Sequence, residues 1–242
     1  MSNKINNKGE VLAWSMYDFA NQPFTNLVVT FIYGTFFTTV IATNEIIGTQ
    51  QWSHAVSITA IIVALLSPLM GALADKGGYR KMFMLIFTWI TIIATTVLYF
   101  VLPGEILKAL FWFVIANIGF EMGSVFCNAY LPDISHSKNI GRVSGYGWSL
   151  GYLGGLIALA LAMLFLVQTD TPIFGFGKGE AGAYENIRAT NLLVAVWFAV
   201  FSIPTFLFVK DHKPDTKAFL KNAKHTVKDF RTTAKELREY PQ

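Results

Sequence analysis

Two carboxylates sit where carboxylates are costly. Asp18 and Glu121 lie inside long apolar stretches of the 242-residue chain, with no Lys or Arg deep in any of those stretches to pair with them. A charged acid at the centre of a membrane span costs roughly 2.5–3.5 kcal/mol on insertion scales, so such a group is protonated, faces a wet cavity, or both. Protonation coupled to a change of shape is what a proton-driven carrier requires. Each acid also has polar company at helical spacing. At about 100° per residue, Asp18, Asn21, Gln22 and Thr25 share an arc of about 100°, and Asn117, Glu121, Ser124 and Asn128 share one of about 60°. Two polar stripes on otherwise apolar helices are expected to face the protein interior, around a cavity, and not lipid. The alternative for the amides and hydroxyls is plain helix-to-helix hydrogen bonding, at about 0.6 kcal/mol per bond.

No enzymatic constellation competes with this reading. His54, His136, His212 and His225 fall in or near loops or the tail, with no Ser/His pair or His cluster at mid-depth. The lone Cys127 excludes an internal disulfide and any cysteine-cluster metal site. The chain reads as no enzyme, with no catalytic residue, metal, cofactor or nucleic-acid partner expected.

The elements that position the stripes follow from composition. Hydrophobic residues make up 53% of the chain and charged residues 14%, against roughly 25% charged in an average soluble domain. The apolar residues are blocked into six runs, each long enough to cross a bilayer as a helix: about 12–42, 52–74, 81–102, 106–131, 143–167 and 189–209. The fold class is therefore an all-α membrane protein of six transmembrane helices, preceded by a cytoplasmic segment 1–11 and followed by a cytoplasmic segment 210–242. The first run is long for a bilayer of about 30 Å and contains Pro23, which predicts tilt or a kink. The polar start Met1-Ser2-Asn3-Lys4 is followed by no short apolar core with a small-residue cleavage site, so the first span is expected to be permanent.

Charge sets the orientation. With the N-terminus in the cytoplasm, only Lys108, Lys178 and Arg188 of the 19 Lys and Arg fall on the far side, which the positive-inside rule reads as both termini cytoplasmic. Glycines supply close packing: Gly147, Gly151 and Gly154 with Ala158 and Ala162 down the fifth span, and Gly119 with Gly123 on the face of the fourth span opposite its polar stripe. The Gly175-Phe176-Gly177-Lys178-Gly179 run lacks the order of a phosphate loop and reads as a flexible external loop. In the tail, Phe219, Ala223, Val227, Phe230, Ala234 and Leu237 recur at spacings of four and three with lysines between them. This is a basic amphipathic helix, lying on a membrane or partner surface or serving as a solvated linker.

One connection carries a motif. Gly71-Ala72-Leu73-Ala74-Asp75-Lys76-Gly77-Gly78-Tyr79-Arg80-Lys81 joins the second and third runs. It resembles the signature loop between helices 2 and 3 of the major facilitator superfamily, with Gly71, Leu73, Asp75, Gly78 and Arg80 on matching positions. Tyr79 stands where a second basic residue is common. The segments Trp14-Ser15-Met16-Tyr17-Asp18-Phe19-Ala20-Asn21 and Gly145-Tyr146-Gly147-Trp148-Ser149-Leu150-Gly151-Tyr152-Leu153-Gly154-Gly155 resemble a narrower branch, the autophagy-related vacuolar amino-acid effluxers and their bacterial members. The compact loops are closer to the bacterial members, whose place would be the plasma (inner) membrane. The fourth span lacks an arginine that many proton-coupled members carry and has Glu121 instead.

The resemblance implies the N-terminal half of a twelve-helix carrier working by alternating access, built from two inverted three-helix repeats. It places the first and fourth helices on the central path. It implies that Asp75 faces the positive N-terminal end of a helix in a C-terminal six-helix half and so latches one conformation. This chain would then be an incomplete carrier, with amino acids one possible cargo. The other reading is a non-transporting six-helix anchor or assembly subunit.

Overall fold

The computed structural model describes residues 8–210, except for the side chains at 72, 73 and 75–77. The amphipathic helix expected within 210–242 lies outside the described residues. Among the described residues, six helices are long and apolar enough to cross a membrane. They are α1 (Lys8–Ile41), α2 (Glu45–Gly77), α3 (Arg80–Leu98), α4 (Ile106–Ile134), α5 (Ile140–Val167) and α6 (Glu185–Phe208). Among the described residues there is no strand. Several helices outrun the apolar runs that signal them, because hydropathy marks only the greasy part of a helix. Thus α2 starts at Glu45, ahead of residue 52, where the Asn44 side chain accepts the Ile47 N–H at 2.9 Å and caps the first turn.

α1 is α-helical through Pro23 and then winds wider, as π-helix, over Phe24–Phe31 and again over Phe37–Ile41. Pro23 has no N–H to give the Phe19 carbonyl four residues back. That carbonyl accepts instead from Trp197 Nε1 of α6, at 3.0 Å. Two more indoles work the same way near helix irregularities. Trp52 of α2 donates to the Val29 carbonyl at 3.2 Å, and Trp14 of α1 donates to the Cys127 carbonyl of α4 at 2.8 Å. In a bilayer a backbone group released from its helix must find a partner within the protein, and tryptophan brings one donor on a large apolar body.

The principal helix neighbours are α1 with α2, α4, α5 and α6; α2 with α3 and α4; α3 with α4 and α6; α4 with α5; and α5 with α6. This set is unchanged when α1, α2 and α3 are exchanged for α4, α5 and α6. Successive spans run in opposite directions, so the exchange also reverses every helix. The packing therefore has the form of an inverted repeat. Two buried clusters hold it together. One, around Trp14, Tyr17, Met84, Phe126 and Phe198, lies toward the chain ends. The other, around Phe24, Tyr33, Phe37, Phe113 and Trp197, lies toward the opposite side.

Candidate functional site

α1 presents its polar arc to two helices at once. Asn21, at one edge of the arc, is buried and its Nδ2 donates to Ser124 Oγ of α4 at 3.5 Å, while Ser124 Oγ donates to the Phe120 carbonyl at 3.0 Å. Asp18 and Gln22, at the other edge, pack on α5. A Cβ added to Gly147 would come within 2.5 Å of Asp18 Oδ2, and one on Gly151 within 3.3 Å of Asp18 Cβ. A Cβ on Gly155 would lie 2.9 Å from Gln22 Cγ and press on Asn26 Nδ2. Gly154 admits the Phe19 carbonyl itself. The glycine stripe of α5 is thus a row of recesses that seat polar groups of α1. Thr25 is half-buried between the two edges.

The α4 stripe divides along its length. Asn117 is buried and Ser124 meets Asn21, whereas Glu121 and Asn128 are exposed on the outward face of α4. The stripe is narrow, but the boundary between packed and open surface runs through it. Glu121 and Asn128 stand on the open side, outside the interior position expected for them. Gly119 and Gly123 turn the other way. Gly119 abuts Thr91 and the Phe87 carbonyl of α3, and Gly123 abuts the Tyr17 hydroxyl, which shares a 2.8 Å hydrogen bond with Thr88.

The rest of the outer surface is sorted by helix. Every exposed residue of α3 and α6 is large and apolar: Met82, Leu85, Ile86, Trp89 and Ile93 on one; Val196, Val200, Ile203, Leu207 and Phe208 on the other. The other four helices mix polar groups into their exposed faces, with Thr30, Thr35 and Thr39 on α1, Ser53, His54 and Ser57 on α2, Glu121 and Asn128 on α4, and Ser149 with Tyr146 and Tyr152 on α5. Lipid suits the first kind of surface; on the second, Thr39 and Ser57 donate to carbonyls of their own helices at 2.8 Å, whereas a carboxyl and an amide such as Glu121 and Asn128 suit a polar neighbour.

In the α2–α3 connection, Gly78 adopts φ 68°, the left-handed geometry that ends α2, with the Tyr79 N–H returning to the Ala74 carbonyl at 3.1 Å. Arg80 reaches the far end of α4. Its Nη1 donates to Asp133 at 2.6 Å and to the Ala129 carbonyl at 3.2 Å, with the guanidinium 5.9 Å from the Tyr130 ring centre. A Cβ at Gly71 would meet nothing within 4 Å. The Leu73 and Asp75 side chains lie outside the described residues, so the structure does not bear on the latch expected of them. Among the described residues, no three His, Cys, Asp or Glu side chains gather where they could share a metal ion.

Sequence reasoning missed a second polar centre at the opposite end. Arg188 of α6 is 7% exposed; it donates to the Tyr99 carbonyl at 2.6 Å and the Ala183 carbonyl at 3.0 Å, and lies over the Tyr99 ring. The Tyr99 hydroxyl donates to Glu185 at 2.7 Å. A cation at the C-terminal end of α3 also complements the negative end of the helix dipole. The signal was available, since Arg188 directly precedes an apolar run, but it reads equally as a loop charge.

A family model described as vacuole effluxer Atg22 like matches residues 53–242. The chain belongs to the Atg22-like family. Among similar proteins, one described as an uncharacterized MFS-type transporter, YxiO, of Bacillus subtilis is 26% identical over 238 residues, covering 94% of this chain and 53% of that protein. Autophagy-related protein 22 of Yarrowia lipolytica is 21% identical over 66% of this chain and 34% of its own length. An uncharacterized protein of Aquifex aeolicus is 31% identical over 61% of this chain. The chain therefore spans between about a third and a half of these relatives' lengths. Atg22-like membership, together with six described helices long and apolar enough to cross a membrane, makes this an integral membrane protein.

Proposed function

We propose that these six helices are one half of a secondary carrier that moves a small polar solute by alternating access, coupled to protons, with amino acids the first cargo to test. The observation that carries this reading is the polar arc of α1, which opens between α4 and α5 and binds to both. Asp18, Asn21, Gln22 and Thr25 would line the path with Asn117, Glu121, Ser124 and Asn128. The mixed outer faces of α1, α2, α4 and α5 would meet a second six-helix half, and α3 and α6 would face lipid. Exposure of Glu121 and Asn128 on this half fits a position on the shared path. Asp75 would latch the halves together on the side of the chain ends. The charge distribution supports a cytoplasmic location for that side, and the likeness to bacterial proteins supports a carrier of a bacterial plasma membrane.

The test is uptake by the full-length carrier in liposomes with an imposed pH gradient. Asp18→Asn or Glu121→Gln is expected to abolish uphill accumulation while leaving exchange of solute down its gradient. If both variants still accumulate solute against a gradient, the acids are not the proton carriers. The 242-residue chain alone is expected to give no saturable uptake.

A further inference from the structure

The connection between α5 and α6 does not hang free. Glu185 Oε2 accepts the Gly177 N–H at 3.1 Å, Asn186 N–H returns to the Gly177 carbonyl at 3.0 Å, and Asn186 Nδ2 reaches back to the Leu166 carbonyl of α5 at 2.9 Å. Lys178 Nζ donates to the Thr169 carbonyl at 2.7 Å. Its base is thus tied to both helices. Its tip is apolar, and Phe174 is 89% exposed with φ 60°. A bulky side chain in the left-handed region is strained and persists only where its surroundings hold it there. Beneath this tip, between α5 and α6, is a cavity of about 460 Å³ lined by ten residues, all apolar, including Phe165, Leu166, Ile173, Phe176 and Val196.

We propose that this recess holds one acyl chain of a membrane lipid, with Phe174 seated among the lipid chains of the adjoining leaflet. Val196 lines the recess, is exposed, and begins the row Val196, Val200, Ile203 and Leu207, the outward face of α6 on which every exposed residue is apolar. The recess is therefore continuous with the surface that faces lipid in the arrangement proposed above, on which this inference rests. Its lining offers no side-chain donor or acceptor, so a polar solute or a peptide backbone would enter it unsatisfied. A methylene chain makes no such demand. Contact with lipid also gives the exposed Phe174 ring an apolar environment, which offsets its unfavourable backbone geometry.

Two measurements on the full-length protein in phosphatidylcholine vesicles test this. In a Cys127→Ser background, a nitroxide on Phe174→Cys is expected to collide more with oxygen than with a water-soluble nickel chelate, and one on Lys178→Cys to show the reverse order. Access of the chelate at position 174 overturns the seating in lipid, and shielding from both reagents means that a protein surface covers the loop. Val196→Trp, which puts a bulky side chain at an exposed lining position of the recess, is expected to leave one fewer phosphatidylcholine bound in native mass spectra. An unchanged lipid count overturns the acyl-chain site.

Discussion

The bond from Trp197 to the Phe19 carbonyl makes a quantitative prediction. Trp197→Phe removes the indole N–H from a carbonyl whose helical partner would be Pro23. Leaving a buried acceptor without its donor costs about 1–3 kcal/mol. The substitution also trims packing, because Trp197 stacks on Phe19 with centroids 5.3 Å apart and lies 4.4 Å from the Phe201 ring. A double-mutant cycle with Pro23→Ala separates the two effects. Alanine supplies a backbone N–H within reach of Phe19, so losing the indole then costs only an ordinary interhelical bond, about 0.6 kcal/mol. The packing loss is common to both backgrounds and cancels. The expected coupling is about 1–2 kcal/mol, with Trp197→Phe the milder change in the Pro23→Ala background. Equilibrium unfolding in mixed micelles, followed by loss of helical circular dichroism, gives the four stabilities. A coupling below about 0.5 kcal/mol, the range of independent sites, would refute the argument that the indole replaces the proline's missing donor.

Gly147→Ala forces a methyl against Asp18 and Trp14 and is expected to destabilise by about 1–3 kcal/mol. Gly145→Ala, whose methyl meets nothing within 4 Å, should be neutral or stabilising by up to about 1 kcal/mol; thermal unfolding compares the pair. Arg188→Met strips the cationic donor from the Tyr99 and Ala183 carbonyls, a loss of about 1.5–3 kcal/mol per bond, and should raise hydrogen exchange at that end of α3 while sparing its Arg80 end. Single cysteines at the exposed Ile46 and Asp170, in a Cys127→Ser background, should react with an impermeant thiol reagent on intact cells, and Lys138→Cys should not. The opposite pattern would invert the proposed orientation.

The six spans were legible because a bilayer imposes one crude demand, a long apolar run, and each run meets it. Gly78 stands out in the sequence as a motif position and not as a cap; its left-handed geometry at the end of α2 emerges only from the structure. Other features were hidden because a sequence fixes the angle of a residue on its own helix but not the direction of the neighbours. Asp18 and Asn21 lie about 60° apart on α1, and that angle sends one to the α5 glycines and the other to Ser124. For the same reason, nothing in the spacing of Asn117, Glu121, Ser124 and Asn128 told that packed surface would end in their midst. Asp133 and Glu185 were invisible as partners because Arg80 and Tyr99, which they meet, lie 53 and 86 residues away.

The end of α6 is pinned to its neighbours. The Lys210 N–H meets the Glu10 carboxylate at 3.0 Å, Thr205 Oγ1 meets the Ala13 carbonyl at 2.7 Å, and Lys81 Nζ meets the Val209 carbonyl at 2.7 Å. The anchor points belong to α1, which carries Asp18, and to the start of α3, beside Gly78 and Arg80. A pull on the chain beyond residue 210 is therefore not absorbed at a slack joint. It acts as torque on α1 and α3, so that the segment leaving this bundle is geared to the helix that bears the polar arc.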